Sequence, residues 1–204
     1  MIDQSSEPYA HGRLPWPTPD EMSDDQRTVY DAIVGGPRSQ GPQVFQMLDE
    51  RGRLEGPFNS FLVNPKVGLA MQEVGAALRY TSSLSPRQRE IAILELVHLE
   101  RCDFERYAHE RLGRAFGLTE NEITALARGA DCSTFRADEV VVRDVVSALQ
   151  HDRHLDDDLF DRAQTLLEYE SLADVVVLVG YYQMLALSLN VWETPLPAGE
   201  SVEE

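Results

Sequence analysis

The chain has 204 residues, of which 43% are apolar, and 18 basic against 35 acidic residues give a formal net charge of −17. That length and apolar content suffice for one domain with a sizeable core. So large a negative charge repels phosphate backbones and anionic lipid surfaces, and we therefore expect neither a nucleic acid nor a membrane as a partner.

The cysteine content and the first residues bear on the compartment. Cys102 and Cys132 fit neither a disulfide framework nor a zinc-ligand spacing, which favours a reducing environment with two free thiols. The first 21 residues, MIDQSSEPYAHGRLPWPTPDE, lack the basic and apolar regions of a secretory signal. We expect the protein in the cytoplasm.

Helix-start signals recur along the chain and indicate an all-α fold. Each signal pairs a capping side chain with a partner three residues later, or precedes a proline: Ser23 with Gln26, Asn64 before Pro65, Ser85 with Gln88 and Thr119 with Glu122. Apolar residues then recur at spacings of three and four, whereas sustained alternation is missing. The predicted helices cover 24–34, 64–80, 86–98, 102–116, 120–128, 138–150, 157–169 and 171–191.

These elements predict one domain, residues 21–193, between an N-terminal arm at 1–20 and a C-terminal tail at 194–204. Residues 175–192 carry no charge but include several polar side chains and lack basic flanks, which favours a buried helix over a membrane span. The acidic stretch HDRHLDDDLFD is interpreted as a solvated face, and we assign no metal site.

The loop at 35–62 is too long and too apolar to be a simple tether. Its apolar side chains are expected to cover either the core or a pocket, since loops of this length tend to be functional. They are Val44, Phe45, Phe58, Phe61 and Leu62.

A candidate reactive face lies within IAILELVHLERCDFERYAHER. Cys102, Glu105 and His109 are three and four residues apart, so on a helix they share a sector of roughly 60°. Singly, each is typical of ordinary helix packing or surface. Together they indicate acid–base chemistry, because a carboxylate one turn from an imidazole raises its pKa and fixes its orientation.

Glu90 is a second candidate carboxylate, at the start of a strongly apolar run. A glutamate in that position must be either paired or exposed. Because neither glycine nor proline interrupts 86–112, this segment could be one long helix, or it could turn near Leu99 to Arg101 and fold back. The periodicity leaves both possibilities open.

The run LRYTSSLSPRQREIAILELVHLERCDFERYAHERLGRAFGLTENEITALARG resembles the carboxymuconolactone decarboxylase-like family within the alkylhydroperoxidase D-like superfamily. The shared pattern is an LSPR start, RE before an apolar helix, and E-W-x-x-H followed by a GL turn. RLPWPTPDEMSDDQRTVYDAIVGGPR, GPFNSFLVNPKVG and LVGYYQMLALSLNVWETPLP resemble the longer single-domain members, so the similarity covers about residues 13–197.

The resemblance implies an all-α fold whose central helical hairpin sets Glu90 against His109. In the alkylhydroperoxidase D branch two cysteines of a C-x-x-C pair precede the histidine, and the matching positions are Cys102 and Glu105. The second thiol is absent, which argues against dithiol peroxidase chemistry because no neighbouring thiol resolves an oxidised Cys102. The usual tryptophan is Arg106, which could place a cation near an anionic substrate.

The sequence therefore predicts a cofactor-free lyase, decarboxylase or isomerase that moves a proton on a small lactone, keto acid or carbonyl compound. His109 is the predicted general acid or base, Glu105 its orienting partner and Glu90 a second proton carrier. Predicted substrate contacts are Cys102, Arg89, Tyr107, Tyr181 and Tyr182.

Two other functions remain open: a thiol-dependent peroxidase or reductase using Cys102, and a non-catalytic protein for small-molecule binding or assembly. The family resemblance and the uncharged stretch at 175–192 also predict a homo-oligomer, a trimer or a hexamer.

Overall fold

A computed structural model describes residues 11–37, 44, 46–130 and 133–202. Cys132 and Phe45 thus lie outside the described residues. The described part of the chain folds into nine α-helices, which confirms the predicted all-α fold, and its only β-type pairings are two isolated bridges. The helices are α1 Asp24–Val34, α2 Pro57–Ser60, α3 Pro65–Tyr80, α4 Pro86–Glu100, α5 Asp103–Ala115, α6 Glu120–Ala127, α7 Ala137–His151, α8 Asp157–Leu166 and α9 Tyr169–Trp192.

The predicted helix starts are confirmed. Ser23, Ser85 and Thr119 each accept a hydrogen bond from the backbone N–H three residues later, and the reciprocal side chain closes a capping box. Helix α3 also starts where expected, after Asn64, although the Asn64 side chain makes no capping hydrogen bond. The short helix α2 was not predicted, because four residues are too few for a periodic apolar pattern.

Helix α4 lies at the centre of the core. It packs against α5, α6, α7 and α9, and nine consecutive residues, 89–97, are buried. A helix that is buried on every side lacks a polar face. The spacing of its apolar residues therefore does not predict which neighbouring helices its side chains contact. Three of the nine buried residues are charged, and each of them therefore needs a partner.

Helix α9 is long and apolar enough to cross a membrane by length and composition, but half of its most apolar stretch is buried inside the protein. One face remains exposed and apolar, with Val176, Leu187 and Val191 each about half exposed or more, and Gly180 lies on the same face. The homo-oligomer stays a prediction.

The loop before α3 folds over the end of the hairpin formed by α4 and α5. Its Gly56 has φ 60° and ψ −140°, a conformation suited to glycine, and a Cβ there would collide with the ring of Phe104. The glycine thereby lets Phe58 and Phe61, which follow in α2 and its end, pack close to α5.

Candidate active site

A tight turn between α4 and α5 creates the site. Helix α4 ends at Glu100, Arg101 adopts the left-handed conformation with φ 51° and ψ 47°, and Cys102 is the extended residue that begins α5. The left-handed residue ends α4 as a glycine commonly does, although here it is an arginine. The alternative of one continuous helix is therefore wrong, and the chain folds back so that Glu90 and His109 meet.

Three of the predicted site residues form one buried cluster, which we call the acid–base cluster: Glu90, Glu105 and His109. The Nδ1 atom of His109 lies 2.6 Å from Oε2 of Glu90, and its Nε2 atom lies 3.2 Å from Oε2 of Glu105. All three side chains are at most 5% exposed. The imidazole therefore bridges two carboxylates.

The cluster favours a protonated imidazole beside an ionised Glu90. Burial lowers the pKa of His109, but the charge of Glu90 and the hydrogen bonds that the imidazole donates to both glutamates outweigh burial and raise the pKa above its ordinary value. Burial likewise raises the pKa of Glu90, but the charge and hydrogen bond of His109, assisted by Arg79 and Arg89, bring the pKa below its usual range. An imidazolium held near neutral pH is a competent general acid.

Not every polar atom of the site is satisfied. Among the described residues, Oε1 of Glu90, Oε1 of Glu105 and Nε of Arg89 are buried without a hydrogen-bond partner. Arg89 Nε does lie 3.5 Å from Glu90 Oε1, a charge contact without hydrogen-bond geometry. Since the two glutamates approach opposite nitrogens of the imidazole, they do not converge on one point as metal ligands would.

Glu105 and His109 line a cavity of about 50 Å³. Its aromatic wall comes from Phe58, Phe61, Phe104, Tyr181 and Tyr182. Pro57, Ala108, Leu112 and Leu185 complete its apolar surface, and Arg79 adds a positive charge. Glu90 is fully buried and is not among the lining residues, so Glu105 and His109 are the members of the cluster that face the cavity.

Two of the five predicted substrate contacts lie at this cavity. The ring of Tyr182 stands edge-on to the His109 imidazole, with 5.1 Å between the ring centroids. The Tyr181 ring packs edge-on against Tyr182, with 5.5 Å between their centroids. Burial, and then the charge of Glu105, raise the pKa of the Tyr182 hydroxyl, which stays protonated near neutral pH.

The other three predicted contacts lie elsewhere. Cys102 is the N-cap residue just before α5, and it is buried in an apolar cluster with Phe104 and Leu189, the latter near the end of α9. Tyr107 turns to the opposite side of α5, where the Arg111 guanidinium stacks over its ring at 3.8 Å. Arg89 lies behind the cavity wall and donates from Nη1 to the Arg79 carbonyl at 2.8 Å.

Arg79 is the residue that sequence reasoning missed. It lies in the last turn of α3, far from the α5 pattern, and no spacing rule connects the two helices. The cation that the sequence suggested instead, Arg106, pairs with Glu110 at 2.8 Å outside the cavity. The apolar loop was a better signal. Its side chains were expected to cover either the core or a pocket, and Phe58 and Phe61 do line the pocket.

The comparisons with known proteins agree with this architecture. Residues 65–146 match the sequence profile of the Carboxymuconolactone decarboxylase family, which confirms the resemblance found in the sequence. No functionally curated protein matches the chain.

Several solved structures share the fold at low sequence identity. One is the alkylhydroperoxidase AhpD core of an uncharacterized peroxidase-related protein from Ralstonia eutropha JMP134, with a TM-score of 0.70, 14% identity, and coverage of 92% of this chain and 93% of that one. An uncharacterized peroxidase-related protein from Silicibacter sp. TM1040 has a TM-score of 0.69 and 14% identity, and the alignment covers 95% of this chain and 96% of that one. A variant of the debrominase Bmp8, in complex with 2,3,4-tribromopyrrole, has a TM-score of 0.64 and 12% identity, and the alignment covers 86% of this chain and 87% of that one.

Proposed function

We propose that this chain, whose residues 65–146 match the Carboxymuconolactone decarboxylase family, is an enzyme that transfers a proton to or from a small carbonyl, lactone or keto-acid substrate. One observation carries the proposal: the His109 imidazole bridges two buried carboxylates, and one of these, Glu105, lines a cavity and has one oxygen without a hydrogen-bond partner among the described residues. Such a pair combines an acid and a base within one hydrogen-bonded unit.

The geometry supports different roles for Glu90 and Glu105 from those expected from the sequence. Glu90 is sealed from the cavity and holds His109 through the shorter contact, so it orients the imidazole and stabilises its charge. Glu105 and His109 then act on the substrate, Glu105 as the base and the imidazolium as the acid. This exchanges the roles expected for the two glutamates.

A decarboxylation by this unit balances as follows. The bond between the substrate carboxylate and the adjacent carbon breaks, carbon dioxide leaves, and the electron pair forms an enolate. The imidazolium stabilises the enolate oxygen, and the carbon takes a proton from the Glu105–His109 pair, which solvent then restores. Isomerisation uses the same groups, with proton removal at one carbon and return at another.

The position of Cys102 argues against the thiol-dependent alternative. Burial, and then the charge of Glu105, raise the pKa of the Cys102 thiol to about 12, and the thiolate is the reactive form. The Cys102 side chain is also not among the residues that line the cavity, although its neighbours Phe104 and Ala108 are. These facts disfavour a peroxidase or reductase that depends on this cysteine.

The first experiment follows hydrogen–deuterium exchange by NMR in deuterated buffer, with a panel of small lactones and keto acids. This readout detects proton transfer whether or not a net reaction follows. Glu105→Gln and His109→Asn should each lower the rate by about 10²- to 10⁴-fold, the usual contribution of an acid–base group. Glu110→Gln, the same change on the same helix outside the cavity, is the matched control and should leave the rate unchanged.

Glu90→Gln separates orientation from catalysis. Because it removes a negative charge beside the imidazole, it should lower the pKa of His109, and the alkaline limb of the pH–rate profile, where the imidazolium loses its proton, should move to lower pH. Exchange rates that survive both His109→Asn and Glu105→Gln in folded protein would refute this site. Binding without exchange for any compound would favour the non-catalytic alternative.

A further inference from the structure

The cavity has one lining residue with a permanent positive charge, Arg79. Its side chain is half-buried, and among the described residues no carboxylate or carbonyl group forms an ion pair or hydrogen bond with the guanidinium. Arginine presents several N–H donors in a planar fork that matches a carboxylate. An unpaired fork in an apolar cavity is therefore a candidate site for an anion.

The other arginines near the hairpin contrast with Arg79. Arg87 and Arg143 each contact a buried glutamate at 2.7 Å or less, and Arg89 donates to a backbone carbonyl. Each of these three side chains has a structural partner that accounts for its position. In the described part of the chain, the Arg79 side chain has no such structural partner.

The backbone of Arg79 is held firmly in place. Its carbonyl lies in the last turn of α3, where carbonyls lack helical partners, and it accepts the 2.8 Å hydrogen bond from Arg89 Nη1. Arg89 precedes Glu90 in α4, so a single residue connects the position of Arg79 to that of the acid–base cluster. The positive charge of Arg79 also reaches the cluster, since it helps to lower the pKa of Glu90.

We propose that Arg79 is the specificity-determining residue of this cavity and binds the carboxylate of a short-chain acid whose carbon chain lies against the aromatic wall. This inference rests on the proposed function for the chemistry that follows, but the binding itself does not. Within the cavity the positive charge of His109 is paired with Glu105, whereas the positive charge of Arg79 has no such partner among the described residues. The favourable orientation for an anionic substrate therefore places its carboxylate against Arg79.

The size of the cavity sets the class of ligand. A volume of about 50 Å³ holds only a few non-hydrogen atoms, so the described conformation fits an acid with a very short carbon chain. The apolar walls exclude water from the ion pair, which strengthens it relative to the same pair at the surface. A neutral amide of the same shape should lose most of this interaction.

The test uses propanoate and its neutral isostere propanamide as probes, with binding to the full chain at neutral pH followed by ligand-observed NMR. We expect wild type to bind propanoate more tightly than propanamide. Arg79→Met should weaken propanoate binding by about 10- to 100-fold, the value of a hydrogen bond to a charged group, and leave propanamide unchanged. Arg79→Lys should lie between, because it keeps the charge and loses the fork.

Lys66→Met is the matched control, since it removes one positive charge from the exposed first turn of the same helix. It should bind both probes as wild type does. The proposal would be overturned if Arg79→Met preferred propanoate over propanamide as strongly as wild type and Lys66→Met do. It would also be overturned if wild type bound the two probes equally well. Circular dichroism of each variant establishes that the comparison is made on folded protein.

The same samples distinguish the two proposals. If propanoate binding depends on Arg79 while no keto acid or lactone exchanges a proton, the anion site stands and the proposed function fails. If exchange occurs and its KM for acids is the same in wild type and Arg79→Met, the proposed function stands and Arg79 does not determine specificity.

Discussion

Helix α4 carries two clusters of buried charge, and they differ in whether their polar atoms have partners. In the first, which we call the ion cluster, Arg87 contacts Glu122 at 2.5 Å and Glu139 at 2.7 Å. Its third donor reaches the carbonyl of Gly117. Backbone and hydroxyl donors from the starts of α6 and α7 complete both carboxylates.

The acid–base cluster, one turn further along α4, is buried to a similar degree but is incomplete. Two carboxylate oxygens have no hydrogen-bond partner among the described residues, and the cluster borders a cavity, whereas the ion cluster joins helices. A structural cluster gains by satisfying every donor and acceptor, while a catalytic one must leave some of them for the substrate. Burial and charge alone therefore do not separate the two clusters; the unsatisfied carboxylate oxygens beside a cavity distinguish the candidate site from the ion cluster.

The largest stability effect should come from the ion cluster. Arg87→Met leaves two buried carboxylates without their cation, and breaking a buried pair in this way costs about 3–5 kcal/mol. Urea denaturation measures the loss. The remaining folded protein should keep proton-exchange activity near that of wild type, since Arg87 does not line the cavity.

Arg162→Met is the control for this comparison. Arg162 pairs with Asp144 at 2.8 Å, but its side chain is 56% exposed, and exposed pairs contribute about 0–1 kcal/mol. If Arg87→Met were as stable as Arg162→Met, the ion cluster would not have the structural role assigned to it. If Arg87→Met also abolished exchange in folded protein, the functional separation of the two clusters would be wrong.

The sequence predicted the local part of this architecture well. Capping residues are short-range signals, so Ser85 with Gln88 gave the start of α4 and Thr119 with Glu122 gave the start of α6. The same Glu122 side chain also completes the ion cluster, and that second role depends on Arg87 from another helix. Such long-range partners have no signature in the spacing of residues.

The candidate site was predicted only where helical spacing or the family resemblance reached it. Glu105 and His109 follow from one turn of helix, and Glu90 joined them through the resemblance. The turn at Arg101 was left open, since a left-handed arginine gives no sequence signal of the kind glycine gives. Arg79 was missed because it reaches the cavity from α3, and only the tertiary packing brings it there.

The second prediction concerns acid stability and again tests the ion cluster. Burial raises the pKa of Glu122, but hydrogen bonds from the Thr119 N–H and from Arg87 outweigh it and bring the pKa from its ordinary value of 4.5 to about 2. A depressed pKa stabilises the fold above the unfolded-state value, and this contribution is lost as the pH falls from about 4.5 to about 2. The loss should be on the order of 3 kcal/mol.

Urea titrations at a series of pH values measure this contribution. Glu122→Gln should be less stable than wild type near neutral pH, and the difference should shrink as the pH falls, because wild type then loses what the variant already lacks. A stability difference that stayed constant down to pH 2 would show that the carboxylate of Glu122 is not the titrating group.

The smallest effect is expected at Cys102, which lies close to the acid–base cluster in sequence but belongs to neither cluster. Its thiol is buried, and burial together with the charge of Glu105 raises its pKa to about 12, so almost none of it is thiolate near neutral pH. Cys102→Ser should therefore retain most of the proton-exchange activity, and Cys132→Ser is the matched control. Peroxide consumption by wild type, lost in Cys102→Ser and kept in Cys132→Ser, would instead make the thiol the reactive group. That outcome would also mean that the incomplete acid–base cluster supports the thiol chemistry and does not itself act on a carbonyl substrate.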